Sequence, residues 1–369
     1  MKIGILTFHR AINYGAVLQC FALSKCLTNM GHQVSVLDYR PESIERYRKI
    51  ASFLTLHDKS LFTKIKLFGE GLLNYPTNHK LIRKFDHFLK TFLPISKNCY
   101  SLKNISCNSC DLVIIGSDQI WNKKICYGLD PVYWGQFKHA SQSICTYAAS
   151  FAINIPYNKD ENDRISGYLN AFDHVSVREQ SLKDYLKFNF NQKSKVVCDP
   201  TLLLGQSDYD SMAIMPNVGK YILIYIVEPE AYTRAVEIAV SLAKKYDCGI
   251  RLLSAYPVKE IINTNVKIVD GISPEEFVGY FKCAHAVVAA SFHATAFSII
   301  YNKNLYVVST PKKDRAYNLL NLLGIPERMI DNASSIDFSE IDYASVNKRL
   351  DALRKSSYDY LKLITSNHK

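Results

Sequence analysis

Lys2-Ile3-Gly4-Ile5-Leu6-Thr7-Phe8, a loop ending in Asn13-Tyr14-Gly15, an amphipathic stretch from Ala16 to Met30 closed by Gly31, and Gln33-Val34-Ser35-Val36-Leu37-Asp38-Tyr39 decide the fold. The first run is short, apolar and of β type, and the middle stretch has a helical period with a glycine stop. A strand, a crossover helix and a second strand make a βαβ unit, which implies a parallel sheet with ligands near the carboxyl ends of its strands. The loop at 9–15 is therefore placed to bind.

The alternation continues on both sides of a break. Apolar runs at 111–115, 143–148, 173–177 and 195–198 read as further strands of one doubly wound sheet, with helices near 161–171 and 179–188. Residues 205–219 hold Gly, Ser, Asp and Pro without apolar periodicity and read as an interdomain connection. A second open parallel sheet is expected from strands at 220–227, 249–255, 266–269, 285–290 and 304–309, separated by helices at 231–246, 274–283, 293–301 and 314–323. The expectation is an α/β chain of two Rossmann-like domains, 1–204 and 220–341, whose parallel sheets face a cleft. Residues 342–369 supply a helix that packs back on the first domain.

A length of 369 residues favours two domains, and 48% hydrophobic with 21% charged residues is a globular balance that can bury a core in each. The opening residues run into a polar loop at His9, unlike a secretory signal, and no stretch of about 18 to 20 apolar residues is long enough to span a bilayer. A cytoplasmic protein is expected, with its ten cysteines reduced. Cys107-x-x-Cys110 lacks a second pair or histidines at zinc-finger spacing, so no metal and no cofactor are expected.

The net charge of +11 points to anionic partners. Between Ile44 and Leu93 there are ten Lys/Arg and four Asp/Glu, a net +6. Leu61, Ile65, Phe68 and Leu72, then Leu81, Phe85, Phe88, Leu89 and Phe92, have helical spacing there, so 44–93 reads as a helical insertion in the first domain. Its charge suits peripheral contact with an anionic membrane at the inner face; a solvated helical face is the more frequent explanation of such charge.

Four places concentrate chemistry. Gly116-Ser117-Asp118-Gln119-Ile120-Trp121-Asn122 follows an apolar strand: the glycine lets a ligand approach the backbone, and the polar side chains suit hydroxyl groups. Asp118 is the candidate to orient or deprotonate a sugar hydroxyl; the plain alternative is an Asx-capped turn over a buried tryptophan. Ser291 and His293 stand where a strand turns into a helix, whose unpaired N–H groups form an anion site, so His293 is a candidate general acid. Arg178 ends a strand and can fork onto carboxylate or phosphate, or pair with Glu179 or Asp199. Lys312, Lys313 and Arg315 crowd the turn after another strand. Phosphate-loop, dinucleotide, serine-elbow and zinc-protease motifs are missing from the sequence.

The chain resembles the polysaccharide pyruvyl transferase family through Asn13-Tyr14-Gly15-Ala16-Val17-Leu18-Gln19, Gly116 to Asn122, Ser176-Val177-Arg178-Glu179, Asp199-Pro200-Thr201 and Ser291-Phe292-His293. The resemblance implies a fold like that of GT-B glycosyltransferases. It also implies transfer of the enolpyruvyl unit of phosphoenolpyruvate to two hydroxyls of one sugar in a surface polysaccharide or its lipid-linked precursor, giving a pyruvate ketal. His293 maps onto the family's general acid and Arg178 onto a donor-binding arginine, with Ser291, Lys312, Lys313 and Arg315 on the donor side. Asn13, Tyr14, Gly15, Gln19, Ser117, Gln119 and Asn122 then fall on the acceptor side. The arginine that many members carry just before the histidine is replaced by Ser291 and Phe292, and Lys312, Lys313 or Arg315 are the substitutes. Two other readings remain: a nucleotide-sugar GT-B glycosyltransferase on the same architecture, and a non-catalytic basic protein that binds RNA or a membrane. The transferase reading requires no nucleic acid.

Overall fold

The computed structural model describes residues 1–49, 78–105, 109–137, 142–151, 157–255, 258, 265–310 and 314–366, apart from the side chains of Tyr47 and Asp314. It divides into two compact units, Met1–Leu203 with Arg354–Lys369, and Leu204–Leu353.

The first unit is built on β1 (Lys2–Leu6), β2 (Gln33–Tyr39), β3 (Ile95–Tyr100), β4 (Leu112–Ile115) and β5 (Ser143–Thr146), paired in the order β3-β2-β1-β4-β5. Every pairing is parallel. The central strands are apolar almost throughout because helices cover both faces of such a sheet, and Ile3, Ile5, Leu112, Val113 and Ile114 are fully buried. Helix Tyr14–Asn29 begins where the Asn13 side chain accepts a hydrogen bond from the Ala16 N–H. Within the expected insertion, helix 78–92 turns Phe85, Phe88 and Leu89 inward, and Phe88 meets Phe21 edge-on. Leu61, Ile65, Phe68 and Leu72 lie outside the described residues.

Two strand readings need correction. Ile95–Tyr100 joins the sheet edge although its residues are too polar and too exposed to read as a strand. The runs at 173–177 and 195–198 leave the main sheet and form their own parallel pair, β6 (Ser176–Val177) with β7 (Lys195–Val196). The cause is local. After Thr146 the chain turns through Ala148, whose φ is +50°, and the ladder towards β6 reduces to single bridges such as Ala149 with Val177.

In the second unit, β8 (Tyr221–Ile226), β9 (Gly249–Ser254), β10 (Val266–Ile268), β11 (Ala286–Ala290), β12 (Asn304–Val308) and β13 (Met329–Ile330) form an all-parallel sheet ordered β10-β9-β8-β11-β12-β13. Helices Tyr232–Tyr246, Pro274–Cys283, Phe292–Ile300 and Asp314–Leu323 connect its strands. Residues 204–219 belong to this unit, where the Ile214 N–H donates to the Glu275 carbonyl at 3.0 Å. Both sheets count as 3-2-1-4-5 from their own first strands, the order of a Rossmann-like domain, with the topological switch between the first and fourth strands.

Helix Tyr343–Ser366 starts in the second unit, and from Arg354 onward it belongs to the first. There Arg354 donates to the Leu202 carbonyl, Tyr360 donates to the Thr146 carbonyl, and Ser357 accepts from the Cys198 N–H. Among the described residues no helix is long and apolar enough to cross a membrane.

Candidate functional site

At the switch point of the first unit, the loop after β4 meets the loop after β1. Gly116 has φ +123°, and a Cβ there would sit 2.3 Å from the Tyr147 carbonyl oxygen, so only glycine fits. The next residues are zipped to the segment after β5: the Ser150 N–H donates to the Asp118 carbonyl at 3.0 Å, and the Trp121 N–H to the Ser150 carbonyl at 3.3 Å. Asp118 takes a left-handed conformation, φ +72°, which turns its carboxylate back onto the Gln119 N–H at 2.8 Å. Its side chain keeps 16% of its surface exposed, more than its charged neighbours Arg178, Glu179 and Asp199.

Behind Asp118 stands Arg178, buried and ringed by acids. Its Nη1 donates to Asp199 Oδ2 at 2.8 Å, while Glu179 Oε2 lies 3.7 Å and Asp118 Oδ1 3.9 Å from its other nitrogens. Burial opposes the guanidinium charge, but Asp199, Glu179 and Asp118 overcome it and the pKa is raised. Asp199 is held further by Ser117 Oγ at 3.2 Å and by the Thr201 N–H and hydroxyl, and Glu179 accepts from Ser150 Oγ at 2.6 Å. The ion pair offered by the sequence is the contact that forms.

The acceptor-side residues of the first unit sort by exposure. Asn13 is exposed and caps helix Tyr14–Asn29, Gly15 is buried in its first turn, and Tyr14 lies against Phe85 with ring centroids 5.2 Å apart. Gln19 is fully buried and cannot touch an acceptor. Its Nε2 donates to Thr7 Oγ1 at 2.9 Å, and Thr7 donates on to the Ser117 carbonyl at 3.1 Å. Ser117 is likewise interior. Asn122 caps the short helix Lys123–Cys126 and donates to Gln119 Oε1. Trp121 stacks on Trp134 at 4.5 Å, so the loop is both an Asx turn over a tryptophan and a platform that presents Asp118 and Gln119.

At the switch point of the second unit, β11 ends at Ala290 and helix Phe292–Ile300 begins, capped by Ser291 Oγ accepting from the Ala294 N–H at 3.1 Å. His293 stands in the first turn and is partly exposed, and its ring meets Phe292 edge-on at 5.3 Å. Its position follows from the sequence: an apolar run ending in serine fixes the strand-to-helix corner. Arg315 opens helix Asp314–Leu323 and is partly exposed, whereas Lys312 and Lys313 lie outside the described residues.

A further cluster at the carboxyl ends of β1 and β2 was not singled out from the sequence. His9 is fully buried, with Nε2 3.2 Å from Asp38 Oδ1, and Arg40 forks onto the same carboxylate. The signal was present, since His9 and Asp38 follow or end adjacent parallel strands.

A sequence model described as polysaccharide pyruvyl transferase matches residues 13–311 of the chain. No curated protein matches it significantly. Among solved structures, it is similar to a UDP-GlcNAc 2-epimerase from Methanocaldococcus jannaschii, with 13% identity, 100% of both chains covered and a TM-score of 0.49. It is also similar to the glycosyltransferase SnogD from Streptomyces nogalater, with 12% identity, 99% of both chains covered and a TM-score of 0.45.

Proposed function

Because the chain belongs to the polysaccharide pyruvyl transferase family, we propose that it moves the enolpyruvyl group of phosphoenolpyruvate onto two hydroxyls of one sugar of a surface polysaccharide or its precursor. The observation that carries this reading is the family match, whose span includes both the Gly116 to Asn122 loop and Ser291-Phe292-His293.

In the proposed reaction His293 protonates the methylene carbon of phosphoenolpyruvate, which leaves an oxocarbenium-like centre at the adjacent carbon. One sugar hydroxyl adds there. The bond from that carbon to the phosphate oxygen breaks, and a second hydroxyl closes the ketal. One hydroxyl proton returns to the imidazole, and the other passes through Asp118 to the departing phosphate. Asp118, partly exposed and backed by Arg178, is assigned to orient and deprotonate the acceptor. Arg315, with Lys312 and Lys313, is assigned to the donor's anionic groups, supported by the place of Arg315 in the first turn of the helix that follows β12. Arg178 is assigned to hold Asp118 in place.

The test is to incubate purified protein with phosphoenolpyruvate and galactoside or N-acetylhexosamine acceptors, reading phosphate release and the mass gain of a ketal. Turnover with nucleotide sugars and none with phosphoenolpyruvate overturns the reading.

A further inference from the structure

The first unit holds a half-open pocket of about 330 Å³, lined in part by Asp38 and Arg40 and containing none of the residues assigned to the transfer reaction. From the carboxyl ends of β1 and β2 come Arg10, Asp38 and Arg40; helix 78–92 brings Asp86 and Lys90; and β3 brings Ser96. The ladder between β2 and β3 slips there, between Val36 and Asp38, and the Asp38 N–H bonds Ser96 Oγ instead of a strand carbonyl. Such slips re-aim side chains where a sheet meets a ligand.

The charges in this wall are arranged rather than cancelled. Arg10 grips Glu45 through Nε and Nη2, and Arg40 grips Asp38 through Nε and Nη2, so each guanidinium keeps Nη1 outside its pair. Asp38 is bound by His9 as well, and Asp86 is bound by Arg48. Among the described residues Lys90 meets no carboxylate. Arg48, bound to Asp86, lies behind the wall with its pKa lowered, first by burial and then by Arg10, against the opposing pull of Asp86 and Glu45. Leu89, Leu93 and Ile95 add apolar groups to the same lining.

We infer that this cavity is a subsite for one acidic sugar residue of the acceptor, with Arg10, Arg40 and Lys90 taking its carboxylate or phosphate. The inference rests on the acceptor being a saccharide, as proposed above. A fork of guanidinium donors and an ammonium matches a planar or tetrahedral oxyanion. The apolar groups suit the C–H face of a pyranose, and Asp86, which is partly exposed, accepts from its hydroxyls. A bare anion would use neither feature. The volume is at the low end of the range for small-molecule sites, so it suits one sugar unit rather than a nucleotide. Arg10 in the cavity wall follows Thr7 by three residues, and Thr7 donates to the Ser117 carbonyl at the base of the Asp118 loop.

The experiment measures binding to the full chain by calorimetry at low salt, with methyl glucuronide, galactose 6-phosphate, methyl galactoside and inorganic phosphate as probes. Both acidic sugars are expected to bind about tenfold more tightly than the neutral glycoside, as charge-assisted hydrogen bonds allow. Lys90→Gln and Arg40→Gln should each remove most of that difference, and Lys90→Glu should remove all of it. Lys90 is exposed, so its variants keep the fold. Equal affinity for acidic and neutral sugars, or unchanged acidic-sugar binding in Lys90→Glu, overturns the inference. Inorganic phosphate binding as tightly as galactose 6-phosphate also overturns it, by showing a site for free anions. Binding is read without turnover, so a failure here leaves the transfer chemistry standing, and a failure to form ketal leaves this subsite standing.

Discussion

Gly116 lies against the backbone of Tyr147 so closely that a single added methyl group would sit 2.3 Å from the carbonyl oxygen. The contact joins the loop after β4 to the segment after β5 and sets where Asp118 emerges. Gly116→Ala is expected to destabilise the protein by about 2 kcal/mol or more, since the clash is with backbone and φ is positive. Thermal unfolding followed by circular dichroism reads the loss, and an unchanged Tm would show that the loop can shift at no cost.

Arg178 neutralises three buried or half-buried carboxylates, so its removal should cost far more than a surface charge. Arg178→Leu is expected to lose about 3–5 kcal/mol in urea unfolding. Arg178→Leu combined with Asp199→Leu should recover part of this, because an apolar pair leaves no stranded charge. A single-variant loss below about 1 kcal/mol would contradict the burial of the pair.

His293→Ala is expected to slow ketal formation by at least about 100-fold, the low end for a general acid, while unfolding midpoints stay within error. Ser291→Ala should act differently, lowering stability by about 1 kcal/mol through the lost helix cap. A His293→Ala enzyme that turns over normally would take the imidazole out of the reaction.

Much of this was legible from spacing. The two βαβ series follow from apolar runs between helical patterns, and the corner at Ser291 follows from the end of one such run. Ile95–Tyr100 was not legible, because an edge strand with half its residues in water carries no apolar run. The roles of Gln19 and Ser117 were hidden for another reason: the same polar residue types serve to touch a ligand or to brace the loop that does. Only the distances from Thr7 and Asp199 separate the two.

Burial alone would raise the Asp38 carboxyl, but hydrogen bonds from His9 and Arg40 outweigh it and hold its pKa well below the usual carboxylate range. A depressed folded-state pKa gives stability that is fully present above the unfolded value of about 3.9 and is lost as pH falls through the folded one. Asp38→Asn should therefore be less stable than the native chain at pH 7 and lose less on acidification from pH 5 to pH 2. Parallel acid branches in urea unfolding would refute this.

Burial pushes the Cys20 thiol up to about 12 and the Cys198 thiol up to about 11, whereas Cys99 and Cys283 are exposed. Because the thiolate is the reactive form, iodoacetamide at pH 8 should label Cys99 and Cys283 on the native protein, with Cys20 and Cys198 following only in denaturant. Peptide mass spectrometry distinguishes these, and early labelling of Cys20 would argue against its packing.

The last helix carries a consequence for biosynthesis. Arg354, Ser357 and Tyr360 complete a unit whose other residues end at Leu203, so on the ribosome the amino-terminal unit must wait, its sheet made but its last helical segment missing, while some 150 residues of its neighbour are translated. A nascent chain stalled just short of Arg354 would carry a whole second unit and a first one still lacking its final clasp.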